Sequence, residues 1–302
     1  MCKLLIGFIL FAMQLPDGLY AQQKHNMRTL KKEIIEEFSS QKEDFALAFY
    51  DLQSGKHLYI NQNQVFHAAS TMKVPVMIEV FKQDHEGKFN LNDSLKVENH
   101  FKSIVDNSVY QLDSLDDSYS PLYHKTGQKK SIYDLTYLMI IHSSNLATNI
   151  VIDLVGAKNV MKTIQKMGVK KMKVLRGVED QKAFDLGLNN VTSARDLMLL
   201  LKEIALGKAV SRPASDSMIH ILLDQKFNEI IPALLPQDVR VAHKTGNITG
   251  VDHDAGIVFL PDGRKYILVL LSKNLQDEKS SISAMARVSR LVYDFEMHGK
   301  SK

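Results

Sequence analysis

Ala255-Gly256-Ile257-Val258-Phe259-Leu260 and Tyr266-Ile267-Leu268-Val269-Leu270-Leu271 flank Pro261-Asp262-Gly263, and read as two apolar strands around a tight turn. Val239-Arg240-Val241-Ala242, just upstream, has the alternation of another strand and leads into Lys244. Near the other end of the chain, Phe45, Leu47 and Phe49 alternate with Ala46, Ala48 and Tyr50. Ser54-Gly55 then makes a turn, and Leu58-Tyr59-Ile60 returns. The two β-rich ends have to meet in one antiparallel sheet. Helical stripes lie outside them: Met27, Leu30, Ile34 and Phe38 within 27–40, and Ile282, Met285, Val292 and Phe295 within 279–296. Between the ends the pattern is helical, with candidates at 71–84, 132–142, 145–155, 158–167 and 193–206. The segment 88–130 is polar and reads as irregular surface structure. The expected fold is therefore α+β: an antiparallel sheet flanked by terminal helices, with an inserted all-helical lobe. The α/β part is expected over 22–63 and 236–302 and the lobe over 64–235, with a ligand cleft between them.

The bulk numbers fit that picture. The chain has 302 residues, 45% hydrophobic and 24% charged, the balance of a globular protein. A net charge of +4, without a basic run, argues against a nucleic-acid partner. Lys3 followed by the apolar stretch Leu4 to Met13 reads as a signal peptide, too short to span a bilayer. Leu19-Tyr20-Ala21 offers cleavage before Gln22, so 1–21 would be removed and 22–302 exported to the periplasm or medium, with no stable membrane insertion. The one cysteine, Cys2, would go with the signal, which leaves no disulfide, thiol nucleophile or cysteine-based metal site. A monomer is expected.

Three short motifs carry the chemistry. Ser70-Thr71-Met72-Lys73 opens an apolar helical stretch, where residues three apart share a face, so the Lys73 amine can reach the Ser70 hydroxyl. A serine hydroxyl needs a base beside it to attack a carbonyl, and a lysine serves only if burial or nearby cations lower its pKa. Lys244-Thr245-Gly246 follows a strand. Its lysine and threonine can hold an anionic group, its glycine admits a close backbone approach, and the next residue, Asn247, can offer an oxyanion donor N–H. Ser143-Ser144-Asn145 lies between two helical stretches; as helix caps these residues would be ordinary, but in a cleft Ser143 can pass a proton and Asn145 can bind an amide. Second copies of two motifs, Ser39-Ser40-Gln41-Lys42 and Lys125-Thr126-Gly127, sit in polar surroundings that would desolvate neither lysine. His67, His142, His243 and His253 flank the motifs, without the spaced cluster of a zinc site.

S-x-x-K, S-x-N and K-T-G in this order resemble the class A β-lactamase family of penicillin-recognising serine hydrolases. The flanks Ala68 to Pro75 and Ser144 to Asn149 strengthen the likeness, which runs over roughly 27 to 296. The resemblance implies a β-lactamase/transpeptidase-like fold and hydrolysis of small-molecule β-lactams without metal or cofactor. It implies that Ser70 is acylated with help from Lys73, that Ser143 protonates the leaving nitrogen, and that Asn145 binds the substrate amide. Lys244 and Thr245 would hold the carboxylate, and the Ser70 and Asn247 N–H groups the oxyanion.

Two departures stand out. Ser144 occupies the place where the family usually has aspartate. The family's deacylating glutamate would fall in Leu175-Arg176-Gly177-Val178-Glu179-Asp180, with one extra residue after the arginine. Glu179 is the expected base for the hydrolytic water and Asp180 the second choice; a plain Glu179–Arg176 ion pair is the bland reading. The family asparagine four residues on would fall on Ala183, whereas Asn189 and Asn190 come later. The alternatives are a penicillin-binding DD-peptidase or esterase-like hydrolase that deacylates lactams slowly, and a non-catalytic module binding cell-wall fragments.

Overall fold

The computed structural model describes residues 26–298; the expected signal segment lies outside them. The chain begins with α1 (Met27–Ser39), β1 (Asp44–Asp51), β2 (His57–Ile60) and β3 (Phe66–His67). A one-turn 3₁₀ segment, Ala69–Met72, leads directly into α2 (Lys73–His85). The short strands β4 (Ser94–Lys96), β5 (Phe101–Lys102) and β6 (Val109–Tyr110) follow, then a second 3₁₀ segment, Ser120–Lys125, and β7 (Lys129–Ser131). Next come α3 (Ile132–Ile141), α4 (Asn145–Val155), α5 (Ala157–Lys166), α6 (Gln181–Asp185), β8 (Val191–Thr192), α7 (Ala194–Ala205) and α8 (Arg212–Leu223). The chain then returns to β9 (Arg240–Ile248), β10 (Val251–Phe259), β11 (Lys265–Lys273) and α9 (Glu278–His298).

The two β-rich ends do meet. Five strands form one sheet in the order β2-β1-β11-β10-β9, with β1 pairing β11 antiparallel from Asp44↔Lys273 to Asp51↔Tyr266. The alternation seen in the sequence divides the sheet's two faces. Phe45, Leu47, Phe49, Tyr266, Leu268 and Leu270 pack with Leu30, Ile34 and Phe38 of α1 and Met285, Val288, Val292 and Phe295 of α9. Ala46, Ala48, Ile267, Val269 and Leu271 face the other core, shared with α7 and the remaining helices. Burying each large apolar side chain contributes roughly 1.5–3 kcal/mol, so α1 and α9 are held mainly by their stripes. The small alanines on the opposite face let α7 lie close to the strands.

Besides the short helix Gln181–Asp185 and several strands of two or three residues, two regions differ from expectation. The helix Arg212–Leu223 escaped the periodicity reading, although Ser211 caps it and Pro213 stands in its first turn. The segment 88–130 is more than surface, since Val97, Phe101, Leu112 and Leu122 are buried in the helical core. Among the described residues no helix is long and apolar enough to cross a membrane.

Candidate active site

The edge strand β9, the 3₁₀ turn at Ser70, the α3–α4 junction and the loop before α6 surround a cleft of about 980 Å³, lined by Ser70, Ser143, Asn145, Glu179, Thr245, Gly246 and Asn247 among others. All nine side chains or positions singled out in the sequence are thus brought to one place, with Lys73 and Lys244 beneath the cleft floor. The decoy motifs lie elsewhere: Ser39 Oγ donates to Glu36 O on α1, and Thr126 Oγ1 donates to Tyr123 O in a surface turn.

Ser70 sits in the tight turn rather than in α2 itself. Ala69, just before it, takes φ +44°, a left-handed conformation costly for a side-chain-bearing residue. Its N–H is held by His67 Nδ1 at 3.1 Å, and Thr71 N–H bonds Ala68 O at 3.1 Å. Ser70 is thereby presented to the cleft while Lys73 points into the interior. Gly246 closes the other wall. A Cβ there would stand 3.1 Å from Ser70 N and 3.2 Å from Ala69 Cβ and Thr71 Cγ2, tighter than ordinary contact, so the position suits glycine.

The Lys73 amine is fully buried and donates to Ser143 O at 2.6 Å, Ser143 Oγ at 3.2 Å and Asn145 Oδ1 at 3.0 Å. Its expected partner, the Ser70 hydroxyl, is not among these acceptors. Burial pushes the amine down from 10.5 to about 7, against the pull of Asp117 and Glu179 toward the charged form. Lys244 is equally buried; its amine donates to Ser143 Oγ at 3.1 Å and Thr245 O at 2.9 Å. Burial first, then the neighbouring Lys73 charge, holds it well below the ordinary lysine value. Two amines therefore share one hydroxyl, and Ser143 adopts φ +57° to reach both. Sequence reading put Lys244 and Thr245 on a strand edge to hold an anion; β9 is an edge strand, and the Lys244 amine lies under Ser143 while Thr245 and Gly246 face the cleft.

Glu179, at φ +61°, accepts from Asn145 Nδ2 at 2.6 Å. Burial raises its carboxyl above the usual range; the Asn145 bond opposes this, and the Asp117 and Asp116 charges add to it. The Arg176 guanidinium donates instead to Leu188 O, Gly177 O and Asn189 Oδ1. The bland Glu179–Arg176 pair is therefore absent. Asp180 is turned away, accepting from Ser103 Oγ and Ile104 N at 2.9 Å and from Ala183 N at 3.2 Å as the cap of α6. The late asparagines close the loop's neck: Asn190 Oδ1 accepts from Leu175 N at 2.8 Å and its amide donates to Arg176 O at 2.9 Å.

Asn149 was missed as a site residue, although it ends the quoted flank Ser144 to Asn149. Its side chain accepts from Val178 N at 2.7 Å and donates to Val178 O at 3.0 Å, tying the Glu179 loop to α4. A Cβ on Gly177 would come 2.2 Å from Asn149 Oδ1, so that loop approaches α4 only with glycine there. The histidines are held in structural roles. His243 bonds Asp254 at 2.8 Å, His142 stacks on Tyr119 at 4.3 Å, and buried His253, pushed down to about 4, bonds His67 O at 2.8 Å.

A family model described as "Beta-lactamase enzyme family" matches residues 29–295. The chain belongs to that family. Family membership makes it a serine hydrolase acting on β-lactams. The extended-spectrum β-lactamase PER-1 of Pseudomonas aeruginosa is 24% identical over 281 residues, which cover 89% of this chain and 87% of that protein. A β-lactamase of Bacteroides uniformis is 29% identical over 193 residues, 59% of this chain and 65% of that one. Among solved structures, an acyl-enzyme complex of a PBP-A mutant with penicillin G shares the fold with a TM-score of 0.76 and 30% identity, covering 90% of this chain and 97% of that one.

Proposed function

We propose that this family member opens β-lactams through an acyl-enzyme on Ser70 and releases the product with water activated by Glu179. In the first half, neutral Lys73 takes up the Ser70 hydroxyl proton as Oγ bonds the lactam carbonyl carbon. The Ser70 and Asn247 N–H groups receive the oxyanion. The C–N bond then breaks, and the nitrogen takes a proton from Ser143, which is resupplied by the amines bonded to its oxygen. Thr245 meets the substrate carboxylate, whose negative charge favours protonation of Lys244 beneath it. Asn145 holds the side-chain amide. In the second half, Glu179 removes a proton from water, hydroxide attacks the ester, and Ser70 leaves with a proton returned through Lys73.

One observation carries this reading: a fully buried Lys73 amine, lowered to about 7, in one network with Ser143, Asn145 and Glu179 at the cleft that holds Ser70. Purified protein should turn over nitrocefin, and Ser70→Ala should reduce the rate to background. Persistent turnover by Ser70→Ala would sink the assignment.

The likeness to PBP-A favours a second reading, in which lactams acylate Ser70 and leave slowly. A penicilloyl adduct on the unmutated protein that survives for minutes in intact-mass spectra selects it. An unlabelled Ser70 would point instead to a cell-wall-fragment binding module. Export to the periplasm or medium is supported by Lys3 and the apolar stretch Leu4 to Met13. N-terminal sequencing of the exported protein should begin at Gln22. A monomer is proposed as the working form, and its elution volume checks it.

A further inference from the structure

Asp117 comes from the segment 88–130, yet its carboxylate ends at the α3–α4 junction. It is 8% exposed. Oδ2 accepts from Leu146 N at 2.9 Å, Ser144 Oγ at 3.2 Å and Tyr123 OH at 3.1 Å, while Oδ1 accepts from Tyr119 N at 2.9 Å. Leu146 lies in the first turn of α4, where free N–H groups and the helix dipole favour an anion. Ser144 caps the same helix, accepting from Ala147 N at 3.2 Å while donating to Asp117. One carboxylate thus bonds the two residues on either side of Asn145, at the α4 end of the junction that bears Ser143. Its charge also favours the protonated form of Lys73 more strongly than that of Glu179 does.

We propose that Asp117 is a positioning residue for acylation, supplying from a distant segment the carboxylate that Ser144 does not provide within the Ser143–Asn145 motif. It acts through the junction, holding Ser143 at the left-handed backbone that lets its hydroxyl meet both amines. It also sets how readily Lys73 keeps a proton, together with the other charges facing that amine, Glu179 and Lys244. Tyr123, Glu179 and Lys73 are the titratable groups on which the Asp117 charge acts. The proposal rests on the acyl-enzyme reading above.

The test is the rate of Ser70 labelling by a fluorescent penicillin across pH 5 to 9, for the unmutated protein, Asp117→Asn, Ser144→Asp and the double variant. Asp117→Asn should acylate about tenfold to a hundredfold more slowly, since small misplacements of catalytic groups have effects of that size. Its acylation limb should also move to lower pH, because removing a negative neighbour makes Lys73 release its proton more easily. The double variant should recover rate and limb, with the carboxylate now inside the motif. Ser144→Asp alone should be slowed by two adjacent carboxylates. A folded Asp117→Asn with unchanged rate and limb overturns the inference, and so does a double variant without recovery. If Asp117→Asn fails to fold, a folded and labelled double variant still supports it, and an unfolded one overturns it. An unlabelled wild-type protein would defeat the acyl-enzyme reading instead.

Discussion

Between pH 8 and pH 5 the Lys73 amine should pass from mostly neutral to almost wholly charged. With its value lowered to about 7, the neutral fraction falls from about nine-tenths to about one-hundredth over that range. The sign follows from the role: only the neutral amine can accept the Ser70 proton, so acylation weakens as pH falls. The second-order acylation constant should therefore drop about 90-fold from pH 8 to pH 5, approaching tenfold per unit below pH 6. Stopped-flow single-turnover measurement isolates this step from deacylation, in which the Glu179 carboxyl has its own raised value. Lys73→Arg supplies the control, since a guanidinium stays protonated across the range. That variant should lose acylation by about 10²–10⁴-fold and lose the limb near pH 7. A flat profile in the unmutated protein, or the same limb in the Lys73→Arg variant, would refute Lys73 as the base.

Glu179→Gln keeps an oxygen for Asn145 Nδ2 but removes the base, so acylation should persist while intact-mass spectra show an accumulated adduct; normal turnover would exclude Glu179. Gly177→Ala forces the loop away from Asn149 and should slow deacylation at least about tenfold while leaving Ser70 labelling, as separate acylation and deacylation rates would report. Asp180→Asn weakens three bonds that fix the loop and α6, at about 1–3 kcal/mol, and should lower the melting temperature by roughly 2–8 °C without abolishing acylation; the opposite pattern would make Asp180 chemical. Gly246→Ala crowds Ser70 N and should slow acylation about tenfold with little change in melting temperature.

The sheet was legible because both its faces are buried and its strands alternate large and small apolar residues, as in Phe45 to Ala48. The meeting of Ser70, Lys73 and Ser143 to Asn145 around one cleft was legible because each motif spans a single turn, although Lys73 bonds Ser143 and Asn145 rather than the Ser70 hydroxyl. Asp117 was not, since its partners Ser144 and Leu146 are 27 and 29 residues away and no local pattern marks them. The bond from Lys244 to Ser143 was hidden for a similar reason: strand alternation tells which face a side chain leaves, but not that its amine runs beneath Ser143. The helix Arg212–Leu223 carried its signal in Ser211 and Pro213, but only four of its residues are buried, so its apolar stripe is thin.

Gly246 also acts as a gauge of alignment. Its backbone leaves no room for a side chain above the Ser70 turn, and its pairing partner across the hairpin is His253. A one-residue slip of β9 would bring Thr245 or Asn247, each with a Cβ, to the place that tolerates none. Misaligned strands would then push Ser70 out of position even with every other side chain of the cleft present. Length changes in this hairpin should therefore be tolerated in the turn around Thr249 and Gly250, where the strand that faces Ser70 keeps its register, and not within the strand itself.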